Sequence, residues 1–343
     1  MQHPPADPRL TTASNATNIL SGLCQLADEQ AVACEPWFSG LRLTRAQIDD
    51  AGVRVSYRQA SRIVQRALRA LPFPDLGLRL GSRQNIGNFG LLGLAMMTAR
   101  TFGEAVGIGL QYAPISGGLM DVEMDASEPG AVAMVAHQRA QEPQILPFLC
   151  EELFVSTLML CRGLVGAEFA PRRLELTYAA PAYAAQYRPL FGCEIRFGMP
   201  RNRVIIDGAW MQRPLPTYNP VSAQQALALC RAMMPSGQGA SEIVATVRNL
   251  LRERMAESPR LADIAADLHL TERTLRRQLS AAGAGFKEIH DQLRSERARD
   301  LLHEGQLSIA QIGARVGFRD AREFRRAFKR WTGVAPREAR GRG

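Results

Sequence analysis

Lysine is almost absent from this 343-residue sequence: Lys287 and Lys329 are the two lysines among 42 basic residues. Arginine forks bind phosphate and guanine edges well, but the bias runs through both halves and reads as genome composition. No C-x-x-C pair joins the six cysteines (Cys24, Cys34, Cys150, Cys161, Cys193, Cys230), and no H-E-x-x-H occurs among five dispersed histidines. A zinc site needs such ligands at short spacing, so no metal is expected. The cysteines read as reduced, buried small hydrophobes. No apolar run reaches the ~18 residues of a membrane span; the nearest, 145–169, is broken by Glu151, Glu152 and Arg162. The N-terminus lacks a basic start followed by an apolar stretch, so no signal peptide is expected. These absences argue against membrane and secreted classes and for a cytoplasmic protein.

Active-site signatures are missing too. Gly87-x-x-Gly90-x-x-Gly93 lacks the G-K-[ST] of a phosphate loop and reads as helix packing. Glu151 and Glu152 are neighbours on a helical pattern, where adjacent side chains diverge, so they do not read as a catalytic pair. Cys193 and Ser116 lack a nucleophile-elbow context. His137 lies on a strand pattern and reads as a satisfied, half-buried residue. No catalytic residue and no cofactor follow.

What is present is ordinary globular material, with 46% hydrophobic and 22% charged residues. At about 100–200 residues per domain, the length calls for two domains. The net charge of +9 is unevenly placed: residues 239–343 hold 21 Lys+Arg against 14 Asp+Glu, whereas residues 1–238 hold 21 against 19. A near-neutral first part and a basic last third point to a polyanionic partner for the latter.

Residues 1–17 are polar and Pro-rich and read as a disordered tail. Helical patterns follow at 18–27, 45–51 and 56–70, then two small-residue-rich helices within 87–112 that meet at Thr101. Strand patterns occupy 119–124, 131–137, 174–178, 194–197 and 203–206, with a long apolar helix at 145–165 between them. This order implies an α+β domain over 18–234 with a mostly antiparallel sheet. The Pro/Gly/Ser-rich run 235–241 reads as a linker. Everything after it is helical in pattern.

The last hundred residues contain a repeat. LADIAADLHLTERTLRRQL (261–279) and IAQIGARVGFRDAREFRRAF (309–328) align at an offset of 48 through Ile264/Ile312, Ala265/Gly313 and Leu268/Val316. The offset becomes 49 after a turn one residue longer, pairing Leu275 with Phe324 and Leu279 with Phe328. Thr271 and Asp320 stand where N-caps belong. A short helix, a tight turn and a second capped helix make helix-turn-helix geometry. Each second helix carries arginines at i, i+3 and i+4: Arg273, Arg276 and Arg277, then Arg322, Arg325 and Arg326. Crowded like charges serve stability poorly, whereas a major groove neutralises them and offers guanine edges. Between the copies, 285–306 reads as one long helix with an apolar stripe at Phe286, Ile289, Leu293, Ala298, Leu301 and Leu302. It would hold the two units about one DNA turn (~34 Å) apart.

On these residues, 242–337 resembles the DNA-binding domain of the AraC/XylS family of bacterial transcription regulators. The second copy carries most of the signature in its IA..IG..VGF turn, its F..AFKR stretch and its closing TG..P...R. Ala339 departs from the pattern, where the family often has an aromatic residue. The resemblance implies base reading by Arg273, Arg276, Arg277, Arg322, Arg325 and Arg326, with Ala321 against a thymine methyl. Thr271 and Lys329 become phosphate contacts. Asp320 remains a cap, and Phe318, Phe324, Phe328 and Trp331 are core. The stretches 76–106 and 180–207 resemble the arabinose-binding-type N-terminal domain of one AraC subgroup, which ornithine-utilisation regulators carry.

The expected function is therefore a sequence-specific transcription regulator, an activator responding to a small-molecule effector. Its expected partners are double-stranded DNA, that effector, RNA polymerase and a second copy of the chain as a homodimer, with no membrane. Residues 338–343 are expected as a tail. The alternative is a DNA-targeted enzyme with a catalytic N-terminal domain. An alkyl-acceptor repair protein would need clustered zinc cysteines, and an amidotransferase-like sensor a cysteine elbow; neither is present. A purely architectural DNA binder would not need some 220 near-neutral residues ahead of its DNA-binding part.

Overall fold

The computed structural model describes residues 7–234 and 240–340. The chain divides into two compact units, one reaching residue 239 and one beginning at Ala240. The first is α/β with antiparallel sheet, and the described residues of the second form helices apart from the two-residue strand Ala240–Ser241 at its start.

In the first unit, β1 (Thr12–Asn15) pairs antiparallel with β2 (Val55–Ser56). The main sheet comprises β3 (Met120–Asp125), β4 (Ala131–Gln138), β5 (Arg173–Glu175), β6 (Glu194–Arg196) and β7 (Asn202–Asp207), in the order β3-β4-β7-β5-β6. Every pair is antiparallel except β5–β6. The period of two decides what each face buries. Ala131, Ala133, Val135 and Ile205 form a small cluster on one face. The other face presents Met124, Met134, Val204 and Ile206, with Met134 opposite Met124 on one side and Val204 on the other.

The helix Leu146–Val165 is apolar nearly all round and largely buried, as a core helix must be. A shorter helix, Leu76–Ser82, lies close against it. A Cβ at Gly77 would stand 2.6 Å from the Cβ of Glu151, and one at Gly81 would stand 2.7 Å from that of Val155. These glycines, four apart on one face, permit the approach. Helices Gly90–Met97 and Phe102–Gln111 follow, the second capped by the Thr101 hydroxyl.

Three expectations need correction. Residues 7–17 of the expected tail are ordered: Asp7 caps the turn Pro8–Thr11, and Ala13, Asn15, Ala16 and Thr17 are buried. The Asn15 amide donates to Val55 O at 3.2 Å and accepts from Arg139 at 2.5 Å, so distant partners satisfy a polar segment that local composition marks as loose. Gly87 and Gly90 do not serve helix packing. Gly87 lies in a short 3-10 turn and Gly90 takes φ +52°, while Gly93 alone packs tightly, against Ile86 O. At the C-terminal end, residues 338–340 belong to a helix, Pro336–Arg340, and Arg340 bonds Leu307 O. Of the expected linker, residues 235–239 lie outside the described residues.

The second unit opens with helix Glu242–Glu253. Two helix pairs follow, Leu261–Asp267 with Glu272–Ala281 and Ile309–Arg315 with Ala321–Thr332, joined by the helix Phe286–Glu304. One core runs through all of them, built on Val247, Leu251, Ile264, Leu275, Leu293, Ile312, Phe324 and Phe328. Phe318 and Trp331 are half-buried against it, as is Ala339.

Candidate nucleic-acid interface

Each turn between paired helices closes in the same way. In the first copy Leu270 N donates to Ala265 O at 2.8 Å and His269 N to Ala266 O at 2.9 Å. In the second, Phe318 N donates to Gly313 O at 2.9 Å and Gly317 N to Ala314 O at 3.1 Å. This is a Schellman closure, which places the intervening residue in the left-handed region. His269 has φ +53° and Gly317 φ +83°. Gly313 answers Ala265; a Cβ there would lie 3.1 Å from the Cβ and Cγ of Phe324, so the second pair crosses with almost no clearance.

The second helix of each pair then starts on a side-chain cap. The Thr271 hydroxyl accepts from Thr274 N at 3.2 Å and hydrogen-bonds the Thr274 hydroxyl at 2.9 Å. Asp320 accepts from Arg322 N at 2.8 Å. Leu275 and Leu279, or Phe324 and Phe328, are buried beneath. That burial fixes the rotation of each helix and turns Arg273, Arg276, Arg277, Arg322, Arg325 and Arg326 to solvent, all six exposed. Arg276 faces Glu272 at 3.9 Å. Among the described residues, the other five have no acidic partner. Ala321 is half-buried at the start of its helix, and Lys329 is exposed near the other end.

Arg294, on the joining helix, is a residue the sequence reading did not single out. Its guanidinium donates to Ser258 Oγ at 2.5 Å and to Gly317 O at 3.2 Å, and it lies 4.7 Å from the centre of the Phe318 ring. It ties the joining helix to the turn of the second pair. Its one signal in the sequence is a cation beside the apolar stripe at Leu293.

The first unit holds a cavity between the long helix, helices Gly90–Met97 and Phe102–Gln111, and the sheet. Glu151 and Glu152 diverge as expected for helical neighbours. Glu151 accepts hydrogen bonds from Tyr183 and Tyr187, whereas Glu152 lines the cavity. Burial pushes both carboxyls up to about 7. His137, expected half-buried, is exposed and pairs with Glu123 at 3.0 Å. No group of metal-ligating side chains occurs among the described residues, and none of their helices is long and apolar enough to cross a membrane.

Residues 32–215 match the family described as the arabinose-binding domain of AraC transcription regulator, N-terminal, and residues 264–342 match a helix-turn-helix domain family. The ornithine utilization regulator of Pseudomonas aeruginosa is 28% identical over 318 residues, covering 93% of this chain and 94% of its own. An HTH-type transcriptional regulator of Mycobacterium tuberculosis is 28% identical over 349 residues, covering both chains fully. The crystal structure of the transcriptional regulator CdpR from Pseudomonas aeruginosa aligns over 99% of this chain and 100% of its own, with a TM-score of 0.49 and 22% identity.

Proposed function

The chain belongs to the AraC family of transcription regulators, and from that premise we propose a ligand-responsive activator that seats two arginine-faced helices in successive major grooves of one duplex. The observation that carries this reading is the repeated outward triplet, Arg273, Arg276 and Arg277 and then Arg322, Arg325 and Arg326, at identical spacing on capped helices. Guanidinium groups that repel one another in the free protein are neutralised in a groove, where each can bond guanine O6 and N7 together. Ala321 suits a thymine methyl. Thr271 and Lys329 flank the reading surfaces at positions suited to phosphate. The joining helix of 19 residues spans about 28 Å at 1.5 Å per residue, matched to half-sites about 34 Å apart.

The cavity supports an effector role for the first unit, since a ligand shifts a DNA-binding equilibrium only by binding one arrangement better than another. An exposed apolar stripe on helix Pro220–Met233, formed by Val221, Leu229 and Met233, supports self-association as a homodimer. Activation then proceeds by contact with RNA polymerase in the cytoplasm. Selection from random duplexes tests the DNA reading. The expected outcome is an enriched site with two blocks one helical turn apart; binding without sequence preference would refute it.

A further inference from the structure

The cavity has a chemistry that narrows its ligand. Its walls are Leu92, Met96, Val106, Met124, Met134 and Leu160, with further apolar neighbours, and its free volume is about 140 Å³. A second lobe of about 50 Å³ adjoins it and shares Val106, Met124, Met134, Thr157 and Cys161. An apolar cavity of about 150 Å³ accommodates a benzene-sized molecule, so the space suits a ligand of six to ten or so heavy atoms.

One carboxyl lies in that wall; the other titratable side chain there, Cys161, has a thiol that burial pushes up to about 12. The long helix presents Glu152, Ser156 and Leu160 along it at four-residue intervals, and Glu152 is 7% exposed. Among the described residues, nothing hydrogen-bonds its carboxyl; the Ser156 hydroxyl, one turn on, is spent on Leu153 O at 3.0 Å. The other polar lining residues, including Asn18, Gln84 and Asn88, are neutral, and no lysine, arginine or histidine among the described residues lines the space. An anionic head group would find no counter-charge and would face a carboxyl. A strongly polar zwitterion would leave most of its groups unpaired against methionine and leucine.

We propose that this cavity binds a small apolar amine, with its ammonium group on Glu152 and its hydrocarbon body among the methionines. The ammonium supplies the charge and donors that the buried carboxylate lacks. Burial that holds the empty carboxyl near pH 7 is offset when a cation arrives, so ligand binding and ionisation of Glu152 reinforce each other. The regulatory meaning of the site rests on the effector reading above, whereas binding itself is measured separately.

The test is calorimetric titration of the full chain with hexylamine, hexan-1-ol and hexanoate, repeated on Glu152→Gln with thermal melting as the check on folding. Hexylamine is expected to bind once per chain, at least tenfold more tightly than hexanol, with hexanoate undetected. Glu152→Gln should weaken hexylamine at least tenfold and leave hexanol unchanged, and Met134→Trp, which fills the cavity, should abolish both. Equal binding of hexanoate or hexanol, indifference to Glu152→Gln, or no binding of hexylamine would overturn the assignment. DNA affinity is measured in the same samples. Amine binding without a change there keeps the ligand class and contradicts the effector role; a DNA response to some other metabolite, with no amine binding, does the reverse.

Discussion

His269 and Gly317 stand at the same place in the two copies, both in the left-handed region, and only one of them is a glycine. A Cβ on Gly317 would lie 2.4 Å from Met255 O, so Gly317→Ala adds a clash with backbone to the intrinsic strain. A loss of at least about 2 kcal/mol is expected by denaturant unfolding. His269 is exposed, and His269→Gly should instead gain about 1 kcal/mol by releasing that strain. Glu152 supplies a test by pH. Its carboxyl ordinarily titrates near 4.5 and is pushed up to about 7 in the fold, so the folded chain keeps a proton that the unfolded chain has released. Stability is full below pH 4.5 and falls as pH rises through 7, by roughly 3 kcal/mol from this group alone. Glu152→Gln should remove that part of the decline in melting curves between pH 5 and 8. An unchanged decline would show the carboxyl to be solvated. The sequence carried a signal for this burial: two adjacent acids lie in a helix that is mostly apolar and offers little wet face.

The paired helices of the second unit were readable as elements because a repeat states every structural requirement twice. A small residue, a positive-φ turn, a cap and a buried pair recur at offsets of 48 and then 49, and the extra residue is Arg319, between the closure at Phe318 and the cap at Asp320. The strands of the main sheet were readable to within one to three residues for the same kind of reason, alternation bounded by turns. Helix Leu76–Ser82 was not. Its glycines are poor helix formers, and only the facing long helix explains them. Neither was β1, whose pairing partner lies some forty residues away. The reading helices make separable predictions. Arg326→Ala should cost about 1–3 kcal/mol at one base pair of the site if it bonds a guanine there; an equal loss on every sequence would make it a phosphate contact. Lys329→Ala should lower the slope of log affinity against log salt by about 1. Arg294→Met leaves Gly317 O and Ser258 without their donor, and footprints should then fade over one half-site while the other persists.

At the scale of the whole molecule, charge and cavity divide the labour. On the proposed function the basic second unit meets a polyanion through its outward guanidinium groups, and the near-neutral first unit lines an apolar cavity that holds the Glu152 carboxyl. Charge asymmetry and the repeat made the first half of that division visible in the sequence. The cavity was not visible, because its walls come from four helices and two strands that no local pattern brings together. The central claim is that both arginine ridges dock at once on one duplex. Hydroxyl-radical footprinting of the full chain on its selected site tests it most directly. Two protected segments about ten base pairs apart on one face of the duplex are predicted, the first lost in Arg273→Ala/Arg277→Ala and the second in Arg322→Ala/Arg326→Ala. A single protected segment, indifferent to one of those pairs, would contradict the account.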